Sequence, residues 1–273
     1  MGRRLRLLAL SLFCLAAPAW ARPPAPTDAF PDIARAYWLE IDGRPVWAGQ
    51  PDLRLPMASL TKLMTALVLA ESADLEAMVR IGSGVASETG TRIGLRPGEQ
   101  VRAGDLFDAM LIRSANDACR ALADWHAGDQ DAFVALMNAR AEALGLRDTH
   151  FGDACGHDRP DQYSSARDLA TLAHAVLAVP RIADTVVRDE HRFSTAAGRH
   201  FHVRNTNALL GRLKGARGLK TGYTPGAGRC LIAVTERGGR QVLLVLLHAP
   251  DRWWDAAGLI ELAFEEARRL PAP

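Results

Sequence analysis

The sequence predicts an α/β protein of the α+β type: an antiparallel sheet built from both chain ends, flanked by helices, with an inserted helical lobe. Strand-like runs flank Asp42-Gly43 near the start and Gly238-Gly239 near the end, and helical three-or-four spacing fills the region between them. A sheet assembled from the two ends leaves a cleft between itself and the inserted lobe.

The first 21 residues read basic (Arg3, Arg4, Arg6), then apolar from Leu7, then small, with Ala19 and Ala21 in an A-x-A arrangement. That order predicts a secretory signal peptide cleaved after Ala21. The apolar run is shorter than the roughly 20 residues a spanning helix needs, so no stable membrane anchor is expected. Residues 22–33 are rich in proline and alanine and read as a linker, followed by a single catalytic domain over 34–270.

In that domain, residues 34–41 and 45–49 read as two strands joined at Asp42-Gly43, a pair suited to the positive φ values of a tight hairpin. Residues 51–56 lead off the sheet. From Ser59 to about residue 71, Leu60, Leu63, Met64, Leu67 and Val68 recur at helical spacing and predict a central helix. The segment 82–98, with many glycines and polar residues, reads as a loop or a small irregular lobe. Helices are expected over 106–112, 117–125, 131–144 and 165–178, with Gly145 ending the third and Ser165 capping the fourth through a box with Asp168. Strands over 218–224, 231–237 and 240–248 and a helix over 252–269 complete the chain.

Composition narrows the function. Without the three arginines of the expected leader, 33 basic and 31 acidic residues become 30 and 31, so no basic excess suits nucleic acid or a polybasic membrane contact. Cys119, Cys155 and Cys230 remain, an odd number that permits one internal disulfide; the apolar neighbours of Cys119 and Cys230 favour buried free thiols. Lysine occurs at three positions only, Lys62, Lys214 and Lys220, in an arginine-rich chain. Arginine cannot become a neutral base, so lysine persists where that property is needed.

Two of those lysines fall in short motifs. In Ser59-Leu60-Thr61-Lys62, residues three apart on a helix share a face, which brings hydroxyl and amine within reach and sets Ser59 at a helix N-terminus able to steady an oxyanion. Such a motif arises by chance in many chains. Ser114-Ala115-Asn116 falls at a break between helices, where the hydroxyl can relay a proton and the amide can hold a lysine and a substrate carbonyl; helix capping is the simpler role for this motif alone. Lys220-Thr221-Gly222, followed by Tyr223, lies on a predicted strand whose edge can pair with an extended peptide. Gly222 allows close backbone approach, Lys220 and Thr221 can take a terminal carboxylate, and Lys220 near Lys62 would disfavour its protonation.

The three motifs in this order resemble those of penicillin-binding proteins and class A β-lactamases. The segments 57–65, 116–118, 163–170, 205–207 and 218–224 extend the likeness, and the chain is similar to the low-molecular-mass penicillin-binding proteins, the serine D-alanyl-D-alanine carboxypeptidases and related D,D-endopeptidases. The resemblance covers about 34–270 and implies a β-lactamase/D,D-peptidase-like fold. It implies Ser59 as acyl-enzyme nucleophile, Lys62 as general base, Ser114 as proton relay with Asn116 as its polar partner, Lys220 and Thr221 as carboxylate site, and the N–H groups of Ser59 and Tyr223 as oxyanion hole. No metal or organic cofactor is expected; the expected partners are peptidoglycan stem peptides and β-lactams. Ala115 stands where the carboxypeptidases often have glycine, which leaves the subtype open between carboxypeptidase and endopeptidase. The extra β-domain and amphipathic C-terminal helix of many family carboxypeptidases have no counterpart in the sequence, so the resemblance implies a soluble periplasmic protein.

Three rival readings stand beside this one. A class A β-lactamase hydrolyses its acyl intermediate with a glutamate between the second and third motifs, but Glu142 and Glu190, the glutamates there, lack the E-x-x-L-N setting. A silent wall-peptide binder is disfavoured by intact Ser59, Lys62 and Ser114. A metal peptidase would need a third ligand beside His200 and His202, or a set drawn from His150, Asp153, Cys155 and His157, at no recognisable spacing.

Overall fold

In the computed structural model, which describes residues 26–269, Asp42 and Gly43 hold φ values of 50° and 74°. Two consecutive left-handed residues match the twist of the flanking strands, so β1 (Ala36–Ile41) turns directly into antiparallel β2 (Arg44–Gly49). The expected leader lies outside the described residues. Part of the expected linker packs down instead of running free: Tyr37 Oη accepts from the N–H groups of Ala29 and Phe30, and the Phe30 ring meets Trp47 edge-on at 5.1 Å.

The chain then enters a 3₁₀ turn, Ala58–Thr61, and α1 (Lys62–Ser72). Every α1 residue from Lys62 to Leu69 is buried. Burial of Leu63, Met64 and Leu67 contributes about 1.5–3 kcal/mol each, which makes α1 the axis around which the lobe assembles. A short ribbon of β3 (Met78–Arg80) and β4 (Gln100–Arg102) closes the base of the glycine-rich 82–98 segment, which contains one 3₁₀ stretch, Ser83–Ser87. The Asp117 carboxylate accepts from the N–H groups of Ile93, Gly94 and Leu95, so this residue anchors the segment to the lobe.

The lobe continues through α2 (Ala103–Ile112), α3 (Asn116–Ala127), α4 (Gln130–Ala143), α5 (Ala166–Leu177) and α6 (Pro180–Val186), all of which pack on α1. Ser165 caps α5 by accepting from the Asp168 N–H at 3.2 Å. The Asp168 carboxylate also accepts from the Asp148 N–H and the Thr149 hydroxyl, at 2.7 and 2.8 Å, and so ties the helix start to the preceding loop. A hairpin of β5 (Glu190–Ser194) and β6 (His200–Arg204) stands apart from the main sheet. Only Phe193 and Val203 are buried in it; β6 alternates polar and apolar residues over His200-Phe201-His202-Val203-Arg204, while β5 offers Phe193 as its one large apolar residue.

β7 (Ala216–Thr224), β8 (Gly228–Arg237) and β9 (Arg240–Ala249) finish the sheet in the order β2-β1-β9-β8-β7, every pairing antiparallel, and α7 (Arg252–Ala267) follows. The sheet is therefore drawn from both ends of the chain, as the patterning predicts. Alternate residues divide between two cores: Leu39, Leu231 and Leu244 pack under α7, while Trp38, Ile232 and Val245 face the lobe. β7 is left at an edge, beside the 3₁₀ turn. Among the described residues no single helix is long and apolar enough to cross a membrane.

One reading of the cysteines is corrected. Cys119 and Cys155 form a disulfide that closes a loop of 36 residues, and among the described residues Cys230 alone is a buried free thiol. In the chain-entropy view such a closure removes about 3–4 kcal/mol of unfolded-state freedom. Apolar neighbours cannot separate a buried thiol from half of a buried cystine.

Candidate active site

The site begins at a strained turn. Ala58 holds φ 50°, and Thr61 Oγ1 donates to the Ala58 carbonyl at 2.8 Å, which fixes the 3₁₀ geometry. Ser59 therefore precedes the α-helix proper instead of opening it, a correction to the expected helix start. The three-residue offset still serves: Lys62 Nζ lies 3.1 Å from Ser59 Oγ. The same amine donates to Asn116 Oδ1 at 2.7 Å and to the Cys155 carbonyl.

Lys62 has no exposed surface, and burial pushes its amine down to about 7 against the opposing pull of Asp153 and Glu88. The expected source of this depression was the second lysine. Desolvation comes first for both amines; Lys220 is held well below the usual lysine range by burial and then by Lys62 and Arg252, and the repulsion between the two lysines acts on each.

Lys220 Nζ donates to Ser114 Oγ at 2.8 Å and to the Thr221 carbonyl at 3.0 Å. Ser114 itself sits at φ 63°, between α2 and α3, which turns its hydroxyl toward β7. Asn116 opens α3 and spans the site, since its Nδ2 donates to the Thr89 carbonyl at 2.7 Å while its oxygen holds Lys62. The second N–H of that amide remains for a ligand. Thr221 Oγ1 lies 2.9 Å from Thr206 Oγ1.

Glycines set the spacing. A Cβ on Gly222 would stand 2.9 Å from the Met57 carbonyl and 3.2 Å from Ser59 N, so its absence lets β7 press against the turn that carries Ser59. Gly156, at φ 92°, presses from the other side; a Cβ there would fall 2.2 Å from the Ala58 carbonyl. The Asp153 carboxylate accepts from the N–H groups of Cys155, Gly156 and His157 and shapes this loop.

Ser59, Ser114, Asn116, Thr221, Gly222 and Tyr223 line one cleft of about 840 Å³, with Lys62 and Lys220 buried behind its wall. Tyr223 is 62% exposed at the rim. Several groups in and behind the cleft wall carry no signal in the sequence: the Cys155 carbonyl, behind it, and Gly156, in it, act through backbone, and Arg252 reaches from the start of α7 to donate to the Gly222 carbonyl at 2.5 Å. His157, also in the wall, pairs with Glu88 at 2.8 Å, and that carboxylate raises its imidazole above the ordinary range. The histidines of the metal reading are otherwise engaged on β6, where His200 meets Ser194 and His202 meets Glu190, each at 2.7 Å. Among the described residues no three metal-binding side chains converge.

Residues 28–251 match the family model described as D-alanyl-D-alanine carboxypeptidase. Over 254 residues the chain is 36% identical to D-alanyl-D-alanine carboxypeptidase DacC of Escherichia coli, an alignment that covers 87% of this chain and 62% of DacC. It is 34% identical over 261 residues to a D-alanyl-D-alanine endopeptidase of Pseudomonas aeruginosa, covering 91% and 83% of the two chains. The fold superposes on the crystal structure of the Streptomyces K15 DD-transpeptidase with a TM-score of 0.81 at 27% identity, over 89% of this chain and 100% of that one. The chain thus spans less than two thirds of the length of DacC.

Proposed function

The chain belongs to the D-alanyl-D-alanine carboxypeptidase family, and from that membership we propose a serine D,D-peptidase that removes the terminal D-alanine from peptidoglycan stem peptides and is acylated by penicillins. One observation carries the reading: a fully buried Lys62 amine, held near neutrality in pKa, 3.1 Å from the Ser59 hydroxyl. As an ammonium, Lys62 would donate to all three of its neighbours. As a neutral amine it donates to Asn116 and Cys155 and turns its lone pair to Ser59.

In the proposed reaction Lys62 takes the proton of Ser59 as Oγ attacks the carbonyl of the penultimate D-alanine. The oxyanion is steadied by the N–H groups of Ser59 and Tyr223. Collapse breaks the C–N bond, and the proton that Lys62 took passes through Ser114, which Lys220 polarises, to the departing amine, so that Lys62 is neutral again. Water then hydrolyses the Ser59 ester. Thr221 and Thr206, with the Arg252 guanidinium on the cleft wall and Lys220 buried behind Thr221, form the cationic and hydroxyl-bearing end of the cleft suited to the substrate's terminal carboxylate. Export through residues 1–21 would deliver the enzyme to the periplasm, where this substrate lies.

A second reading, cleavage of crosslinks between two stems, is favoured by the endopeptidase relative, of which this chain covers 83%. Both reactions break a D,D bond by the same acyl transfer. Digestion of purified monomeric pentapeptide and crosslinked dimeric muropeptides, with chromatographic separation of the products, tests the two. Release of D-alanine from the monomer supports the carboxypeptidase, conversion of dimer to monomers supports the endopeptidase, and neither product refutes both.

Penicillin should acylate the enzyme and leave slowly. Glu142 and Glu190 lie on α4 and β5 and do not line the cleft, while Glu88, nearer, is tied to His157. Hydrolysis of a chromogenic β-lactam is expected to follow a burst of about one equivalent with turnover well under one per second; steady turnover at tens per second would indicate a β-lactamase.

Gly156→Ala should lower the acylation rate by about 10–100-fold, since the added carbon must displace the Ala58 carbonyl and with it Ser59, and misplacement by about 1 Å has that effect. Fluorescent-penicillin labelling over time measures it. An unchanged rate would mean that the loop does not set the position of Ser59.

A further inference from the structure

The Cys119–Cys155 disulfide lies directly behind the Lys62 amine. Cys119 is three residues after Asn116 on α3, so the two share a helix face one turn apart. Cys155 offers its backbone carbonyl to Lys62 Nζ, and Asn116 offers Oδ1 to the same atom. A closed ring results: Lys62 to Asn116, along one turn of α3 to Cys119, across the disulfide to Cys155, and back through its carbonyl to Lys62. The next residue, Gly156, touches the turn of Ser59. Both sulfurs are buried, at 0% and 1% residue exposure, and neither enters the chemistry proposed above.

We propose that this disulfide is a positioning device for Lys62, and that the enzyme reaches full acylating power only when Cys119 and Cys155 are oxidised to each other. The inference rests on the serine-peptidase reading of the site. Without the bridge, the loop 153–157 keeps only an indirect tie to α3, through Glu88 between His157 and Arg120, and a hydrogen bond from Thr65 of α1 to the Ala154 carbonyl, so the Cys155 carbonyl is freer to leave the amine. Water gains access, the ammonium form is better solvated, and the amine spends less time uncharged. Reduction is balanced by a dithiol: two electrons and two protons pass to the bridge, which ends as two thiols, and the dithiol ends as its cyclic disulfide. In an oxidising compartment the bridge forms after export, so acylating power would appear where the substrate is.

The test compares oxidised native chain, native chain reduced by dithiothreitol, the same sample reoxidised, and the Cys119→Ala/Cys155→Ala double variant. Each is assayed for its second-order rate of acylation by a fluorescent penicillin between pH 5 and 9, with near-ultraviolet circular dichroism and thermal melting as controls of folding. Asp153 and Glu88, which attract the Lys62 charge, and His157 and Lys220, which face it from the same loop and from β7, are unchanged in every sample. A moved midpoint therefore reports on the Lys62 surroundings.

The expected result is a rate at least tenfold lower in the reduced and double-variant proteins, a pH midpoint raised by about one unit, and recovery of both on reoxidation. A merely structural bridge would lower the melting temperature and leave the midpoint in place. That outcome overturns the proposal, as does unfolding of both bridge-free forms, which would make the disulfide a requirement of the fold. Absence of acylation in the oxidised native chain would instead strike the serine-peptidase reading.

Discussion

Ser59→Ala is expected to abolish both penicillin labelling and D-alanine release, by at least about 10³-fold, because no other hydroxyl lies on the lone-pair side of Lys62 in the proposed reaction. Ser114 also lines the cleft, but its oxygen accepts from Lys220. The substitution removes one partly exposed oxygen and leaves the 3₁₀ turn intact, since that turn is held by Thr61 and by the Leu60 N–H on the Met57 carbonyl. Melting temperature should therefore change little. Intact-protein mass spectrometry after incubation with penicillin gives the readout, and an adduct of full stoichiometry on the variant would remove Ser59 from the nucleophile role.

The second large effect belongs to Lys62. Arginine at this position keeps a positive charge at every working pH and cannot accept the Ser59 proton, so Lys62→Arg should lose at least about 10³-fold in acylation rate. Size alone could disturb a buried site, so Lys62→Met serves as a companion, with the stem retained and the amine removed. It leaves the Asn116 oxygen and the Cys155 carbonyl without their donor, at a cost of about 1–3 kcal/mol for each, yet spares the burial of an amine. Stopped-flow measurement of acylation in both variants is the check. A rate within tenfold of the native value in either would place the base elsewhere.

These residues also show what a sequence can and cannot reveal. The Ser59–Lys62 contact was readable because helical geometry makes neighbours of residues three apart, and a 3₁₀ turn preserves that relation. Strands β8 and β9 stood out because their apolar runs are flanked by turn residues, and Gly238 and Gly239 take the positive φ values that the hairpin needs. The hairpin β5–β6 was legible only in part: His200-Phe201-His202-Val203-Arg204 alternates, but five residues beside a β5 with Phe193 alone make a short signal. The wall behind Lys62 was illegible for a different reason: the Cys155 carbonyl acts as backbone, and any residue type supplies one. Gly156 and Arg252 were likewise silent, because the contacts that give them meaning come from segments distant in the chain, at Ala58 and Gly222.

The choice of base can be read directly from the pH dependence of the acylation rate in the native oxidised protein. Burial holds Lys62 near 7, so its neutral fraction grows as pH rises through that value, and the rate should climb roughly a hundredfold from pH 5 to a plateau above pH 8. A limb of that sign and midpoint, lost in Lys62→Arg, is the predicted result. A rate constant that stays flat from pH 5 to 9, or that falls as pH rises through 7, would contradict proton removal from Ser59 by an uncharged Lys62.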